Sequence, residues 1–301
     1  MNILWQAARV FVRAPAKLNL FFEVLGKRGD GYHEIETLMV PISLYDTLVA
    51  SDDPSGNVRV DCDWAAPGAG TKNSLGHLPT EQQNLARRAV DLLRSRAGVR
   101  SGIKLELHKR IPSAAGLGGG SSDAAAALLA AATVWDLGWS RESLAELGAE
   151  LGSDVPFFLG RGPAVCSGRG ERIEPVSGIG ALHFVVVRPP EGLSTAEVYA
   201  RCEAPARPEC MTPLLVALRS GDFRKLGQQM HNRLEKAAET LSPWIGRLER
   251  EFARQHVVAA RMSGSGTSYF GICRHARHAQ RVARRLRARG VGQVYAVRTS
   301  N

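Results

Sequence analysis

Cysteine is scarce in this chain and poorly arranged for cross-linking. The five residues, Cys62, Cys166, Cys202, Cys210 and Cys273, are odd in number, scattered and never spaced as Cys-x-x-Cys. That argues against a disulfide framework or a zinc site and predicts a reducing, cytoplasmic setting. No stretch approaches the ~18 consecutive apolar residues needed to span a bilayer, so no membrane partner is expected. Segment 1–10 lacks the long apolar core and small-residue cleavage site of a secretory signal. Acids are missing from one region: Arg274, Arg277, Arg281, Arg284, Arg285, Arg287 and Arg289 follow one another with no Asp or Glu between them. This run accounts for much of the formal charge of +10. Ala276, Ala279, Val282, Ala283 and Leu286 recur within it at helical spacing, which turns the arginines toward solvent. Attraction of an anionic substrate or of RNA is the other use of such charge. The chain has no aromatic-interleaved basic surface, so nucleic acid is not an expected partner.

What is present is an ordinary globular composition, 44% hydrophobic and 23% charged over 301 residues. That length exceeds a usual single core and predicts two domains. Strands are expected at 9–13 and 18–24, separated by Ala14-Pro15-Ala16-Lys17, and again at 37–44, 46–50 and 58–62. A Gly/Pro-rich stretch, 64–79, reads as a surface excursion. Asn84 caps a helix that Gly98 ends. Residues 102–108 alternate as a half-buried strand. The alanine-rich run 123–132 favours helix, and a further helix runs from Ser140 to Gly152. Beyond Gly168-Arg169-Gly170 come a strand at 182–187 and a helical stripe of Phe223, Leu226, Met230 and Leu234. Ser242-Pro243 opens another helix. Two strands then flank Ser263-Gly264-Ser265-Gly266-Thr267, and a last strand covers 291–297. Strands and helices that do not alternate regularly indicate an α+β class.

The strongest chemical signal is Pro112, Ser113, Ala114, Ala115, Gly116, Leu117, Gly118, Gly119, Gly120, Ser121 and Ser122. Four glycines in five positions let backbone approach an anion, and the helix that follows offers free N–H groups and a positive dipole end. It is neither a Walker A loop nor a spaced dinucleotide fingerprint. Asp154, in Gly152-Ser153-Asp154-Val155-Pro156, fits either a cap or turn residue or a fixed carboxylate that accepts a hydroxyl proton. Lys17 alone reads as a surface lysine, and functionally as a phosphate or carboxylate partner. Residues 263–267 fit a hairpin turn or a second backbone cradle. Tyr32-His33 either pack or stack on a base.

In this order these segments resemble the GHMP kinase superfamily, together with Gln83-Asn84-Leu85-Ala86 and Ser194-Thr195-Ala196-Glu197-Val198-Tyr199. The resemblance implies an N-terminal domain like the second domain of ribosomal protein S5, expected over 1–176, and a ferredoxin-like C-terminal domain over 177–301. It implies ATP as phosphoryl donor, held by Pro112 to Ser122, and a small acceptor bearing a cytidine diphosphate moiety. Asp154 would take the proton from the acceptor's 2-hydroxyl, or orient that hydroxyl. Lys17 would offset the charge of Asp154 and of the transferred phosphoryl group. Tyr32 and His33 would recognise the cytosine end, with Asn19 and Thr195 also on the substrate side. Magnesium follows from ATP chemistry. Ser121 is the better candidate for its ligand, and Asp123 is not assigned to it. Another kinase of the superfamily with a different alcohol, or a basic RNA-binding protein, are the competing expectations.

Overall fold

The computed structural model describes residues 1, 3–6, 8–65 and 75–300. Most of the expected surface excursion, 66–74, lies outside the described residues. The chain forms two compact units. One comprises Met1–Ala16, Leu44–Ser113 and Gly118–Arg161, the other Lys17–Ser43, Ala114–Leu117 and Gly162–Asn301.

The first unit draws on β1 (Ile3–Gln6), β2 (Arg9–Lys27), β3 (His33–Asp53), β4 (Val58–Trp64) and β5 (Gly102–Lys109), ordered β1-β2-β3-β5-β4. β2 and β3 also supply residues to the second unit. Each is one long strand where the sequence predicts two. Pro15, expected to divide β2, sits beyond Val12, where the register with β1 ends, so its missing N–H interrupts none of that pairing. In α1 (Leu85–Ala97), Asn84 accepts the Ala86 N–H and Gly98 takes the left-handed conformation, as the capping residues predict. α2 (Gly119–Val134) begins inside the glycine loop, earlier than the alanine run alone indicates. Its residues from Ser122 to Ala132 are buried all round, and the small side chains let it pack on α1 and on α4 (Val155–Leu159). α3 (Arg141–Ala149) stops three residues short of the expected Gly152. There Gly148 lies against Val155, where any Cβ would crowd the valine side chain.

The second unit is built on an antiparallel sheet with the order β10 (Ala259–Met262), β11 (Tyr269–Cys273), β8 (His183–Arg188), β12 (Gln293–Arg298). α9 (Pro243–Ala253) packs on β10 and β11, and α10 (Ala276–Ala288) on β8 and β12. α10 buries His278, Ala279, Val282, Ala283 and Leu286 and leaves its arginines exposed, the solvated face that the spacing predicts. Phe252, Tyr269, Val282 and Leu286 share one core with Phe22, Val24 and Ile35 from the early strands. A hairpin of β6 (Ala164–Gly168) and β7 (Arg172–Pro175), a short α5 (Thr195–Ala200) and α6 (Thr212–Ser220) also belong to the unit.

The stripe Phe223, Leu226, Met230, Leu234 is not one helix. α7 (Phe223–Gln229) stops before Met230, His231–Asn232 form β9, and α8 (Glu235–Leu241) follows. β9 pairs in parallel with Phe21 and Phe22. The buried Asn232 side chain makes three bonds to backbone: its Nδ2 donates to Met262 O (2.8 Å) and Gly264 O (2.9 Å), and its Oδ1 accepts from Leu234 N–H (2.9 Å). Those bonds favour an extended turn over continued helix.

Candidate active site

The glycine loop is shared between the units. Residues 114–117 belong to the second, and 112–113 and 118–122 to the first. Gly118, at φ 70°, is the N-cap of α2 and offers no side-chain cap. The first bond within the helix runs from Ser122 N–H to Gly118 O (2.9 Å). The N–H groups of Gly119, Gly120 and Ser121 therefore have no acceptor inside the helix and are placed to receive an anion. Ser122 Oγ is buried without a partner, and Ser121 beside it is half-buried.

In the second unit the two glycine segments of the sequence meet. The Ser263 hydroxyl donates to Gly116 O (3.1 Å), and Ser268 N–H donates to Ala115 O (3.2 Å). Lys17 N–H donates to Leu117 O (3.0 Å), so residues 115–117 are held from two sides. Gly116 has φ 70°, and a Cβ there would overlap the Ser263 carbonyl oxygen. Gly116→Ala should therefore cost about 2–4 kcal/mol, from the left-handed backbone and the backbone clash together. Gly120→Ala, whose Cβ meets only the Leu85 side chain at 3.5 Å, should stay within about 1 kcal/mol of wild type. Thermal unfolding of the two variants tests this, and equal melting temperatures would refute the close packing at Gly116.

Lys17 is not a surface lysine: it is only 4% exposed. Its Nζ donates to Asn19 Oδ1 (2.6 Å), Asn19 Nδ2 donates to Thr37 Oγ1 (2.8 Å), and Thr37 Oγ1 donates to Phe21 O (2.6 Å). Asn19 N–H also donates to Ser263 Oγ (3.4 Å). A side chain at Gly264 (φ 56°) would start 3.2 Å from Lys17 Nζ and 3.1 Å from Asn19 Oδ1, so glycine is what leaves this space open. Asn232, which fixes the Gly264 carbonyl, is a positioning residue that the sequence reading missed. Its signal was an Asn within an otherwise helical apolar stripe.

Tyr32 and His33 lie where β3 begins. Tyr32 is 54% exposed, its N–H donates to Asp30 Oδ1 (3.1 Å), and the Arg169 guanidinium stands 4.9 Å from its ring centre. Arg28 bonds both Asp30 and Glu34 and closes this turn. The His33 ring lies 5.0 Å from that of Tyr199, which in turn meets Phe22 edge-on at 6.5 Å. Burial, and then the charge of Lys27, push the His33 imidazole below its ordinary value, so it is neutral at pH 7 and offers both a donor and an acceptor. Tyr199 was part of a quoted motif but not a predicted contact residue. The structure brings it to His33. Thr195 shares a hydrogen bond with Ser265 (2.8 Å), linking α5 to the second glycine segment.

Asp154, in the first unit, occupies the N-cap position of α4 but makes no capping hydrogen bond through its side chain. It is half-buried and leads into the buried run Val155–Leu159. Among the described residues no cluster of three His, Cys, Asp or Glu could hold a metal.

A helix that starts at a glycine loop offers free N–H groups of the kind that bind anions. Residues 84–162 match the GHMP kinases N terminal domain and residues 214–292 the GHMP kinases C terminal domain. The chain belongs to the GHMP kinase family. A relative from Pelotomaculum thermopropionicum is 40% identical over 96% of this chain and 97% of its own length. One from Shouchella clausii is 38% identical over 95% and 93%. Both are named 4-diphosphocytidyl-2-C-methyl-D-erythritol kinase. A crystal structure of 4-(cytidine 5'-diphospho)-2C-methyl-D-erythritol kinase superposes with a TM-score of 0.79 at 34% identity, covering 97% of this chain and all of that one.

Proposed function

We propose that this protein transfers the γ-phosphoryl group of ATP to the 2-hydroxyl of 4-diphosphocytidyl-2-C-methyl-D-erythritol, in isoprenoid biosynthesis by the methylerythritol phosphate route. The observation that selects this acceptor within the family is the trio of Tyr32, His33 and Tyr199. One ring is exposed, and beside it a neutral imidazole lies against a second ring, a surface suited to a flat nucleobase that is also hydrogen-bonded. The N–H groups of Gly119, Gly120 and Ser121 bind the donor's phosphates, with Pro112 to Leu117 shaping the approach. Asp154 orients the hydroxyl and takes its proton as the oxygen attacks phosphorus. Lys17 stabilises charge on the transferred group. Asn19 and Thr195 complete the substrate side, Asn19 by fixing Lys17.

The residues fit a magnesium ion held mainly by the donor's own phosphates. Ser121 at the helix start supplies a hydroxyl, the partnerless Ser122 Oγ lies next to it, and among the described residues no group of three metal-ligating side chains competes. When bound, the ion neutralises charge on the phosphates. We assign domains over 1–176 and 177–301 and a cytoplasmic location. The location accords with the free cysteines and with the lack, among the described residues, of any helix long and apolar enough to cross a membrane. Nucleic acid is not a partner in this reading.

The test is an ATP-coupled assay with this acceptor, homoserine and mevalonate in parallel. Turnover is expected with the first alone, and equal turnover with homoserine would refute the assignment. Tyr32→Ala should raise the KM for the acceptor about 5–150-fold, the worth of one base–aromatic stack, and leave the KM for ATP unchanged.

A further inference from the structure

Beneath the glycine loop, in the first unit, lies a buried ionic cluster that the reaction does not use directly. Asp46 on β3 is fully buried, Lys109 at the end of β5 is 5% exposed, and Asp123 on α2 is 3% exposed. The Lys109 ammonium donates to Asp46 Oδ2 and to Asp123 Oδ2. Asp46 Oδ1 accepts the backbone N–H of Arg110 and, at 2.8 Å, that of Ile111. Three consecutive residues leading into the loop, Lys109 to Ile111, are thereby fixed to Asp46. The residue just after the loop, Asp123, is tied to the same ammonium. A Cβ on Gly119 would lie 3.0 Å from Ile111 Cγ2 and 3.4 Å from Lys109 Nζ, so the first turn of α2 rests directly on this cluster.

Burial opposes the charge on Lys109, yet Asp123 and Asp46 together hold its ammonium well above the ordinary lysine range. Burial drives the Asp123 carboxyl upward, against the pull of Lys109. Asp123 Oδ1 is buried with no hydrogen-bond partner. Two acids against one base, sealed from water, make a poor source of stability, because desolvation offsets much of the attraction. Such a cluster serves geometry better: it sets one spacing between the strand that enters the loop and the helix that leaves it.

We propose that Asp46, Lys109 and Asp123 are positioning residues for the donor loop, with the Lys109 ammonium clamping the loop's two shoulders so that its N–H groups are already arranged when ATP binds. This rests on the reading of the loop as the donor site. The clamp acts through the backbone and not by touching the donor, since the ammonium is spent on the two carboxylates. A pre-arranged loop loses less freedom on binding.

The experiment measures the Kd of a non-hydrolysable ATP analogue, with magnesium, for the full-length wild type, Asp123→Ala, Asp123→Asn and Lys109→Met, alongside the KM for each substrate. Asp123→Ala cuts the helix-side tie and leaves Lys109 paired with Asp46, a variant expected to fold. It should weaken analogue binding about tenfold while the acceptor KM stays within about threefold. Asp123→Asn keeps an oxygen acceptor for Lys109 and should restore binding to within about threefold of wild type. Lys109→Met, if it folds, should weaken analogue binding at least as much as Asp123→Ala. A purely structural cluster would lower the melting temperature of Asp123→Ala without changing analogue affinity, and that result would overturn the proposal. Equal binding by Asp123→Ala and Asp123→Asn would overturn it as well. A wild type that turns over the acceptor while Asp123→Ala binds the analogue normally refutes the clamp alone. A wild type that binds no analogue refutes the donor-site reading and the clamp together.

Discussion

Lys17→Met is expected to lower kcat about 10²–10³-fold, the usual effect of removing one fixed charge from a transition state, with a folded protein left behind. The magnitude follows from burial. An ammonium that is 4% exposed acts in a medium that screens far less than water, and its position is set before substrate arrives by Asn19, Thr37 and the Phe21 carbonyl. Methionine nearly matches lysine in volume but takes the Nζ donor from the buried Asn19 Oδ1, so a loss of about 1–3 kcal/mol is expected with the fold kept. Lys17→Arg should not rescue activity. The wider guanidinium needs space beside Gly264, where a single carbon would already stand 3.2 Å from Nζ. Steady-state kinetics with a thermal melt on each variant decide the matter. Turnover near the wild-type value in Lys17→Met would remove the lysine from the mechanism.

The second large effect is expected at Asp154. Asp154→Asn keeps the shape and loses the ability to take a proton, and should reduce kcat about 10²–10⁴-fold, the range for a positioned general base. If the residue served only as a helix cap, asparagine would do nearly as well, because Asn and Asp cap with similar strength. The side chain makes no capping bond to α4, and asparagine keeps its shape and an oxygen acceptor, so the melting temperature should change little. The pairing of lost turnover with nearly unchanged stability separates the two roles. An active Asp154→Asn enzyme would return Asp154 to an ordinary turn residue.

Local chemistry was legible in the sequence wherever a few neighbouring residues decide it. Asn84 and Gly98 bracket α1, Ser242 and Pro243 open α9, and the apolar spacing of α10 places its arginines in solvent. Segments decided by distant partners were misread. β2 and β3 run on as single strands because their neighbours continue to pair with them, a fact absent from their own residues. The stripe from Phe223 to Leu234 has helical spacing, but Asn232 is claimed by the carbonyls of Met262 and Gly264, and the helix breaks there. The site shows the same division. The glycine loop announced an anion site unaided, and resemblance supplied Lys17 and Asp154. The burial of Lys17, the contact of Gly116 with Ser263, and the approach of Tyr199 to His33 required the folded chain.

The bond between Asn19 and Ser263 joins residues 244 positions apart. During synthesis at about 5–20 residues per second, the later partner leaves the ribosome about 12–50 s after the earlier one. Throughout that interval Lys17 lacks the Ser263 turn, and for most of it the His231–Asn232 strand as well. A nascent or prematurely terminated chain can thus display the whole glycine loop and still lack a set lysine. The setting of Lys17 waits for the C-terminal part of the chain.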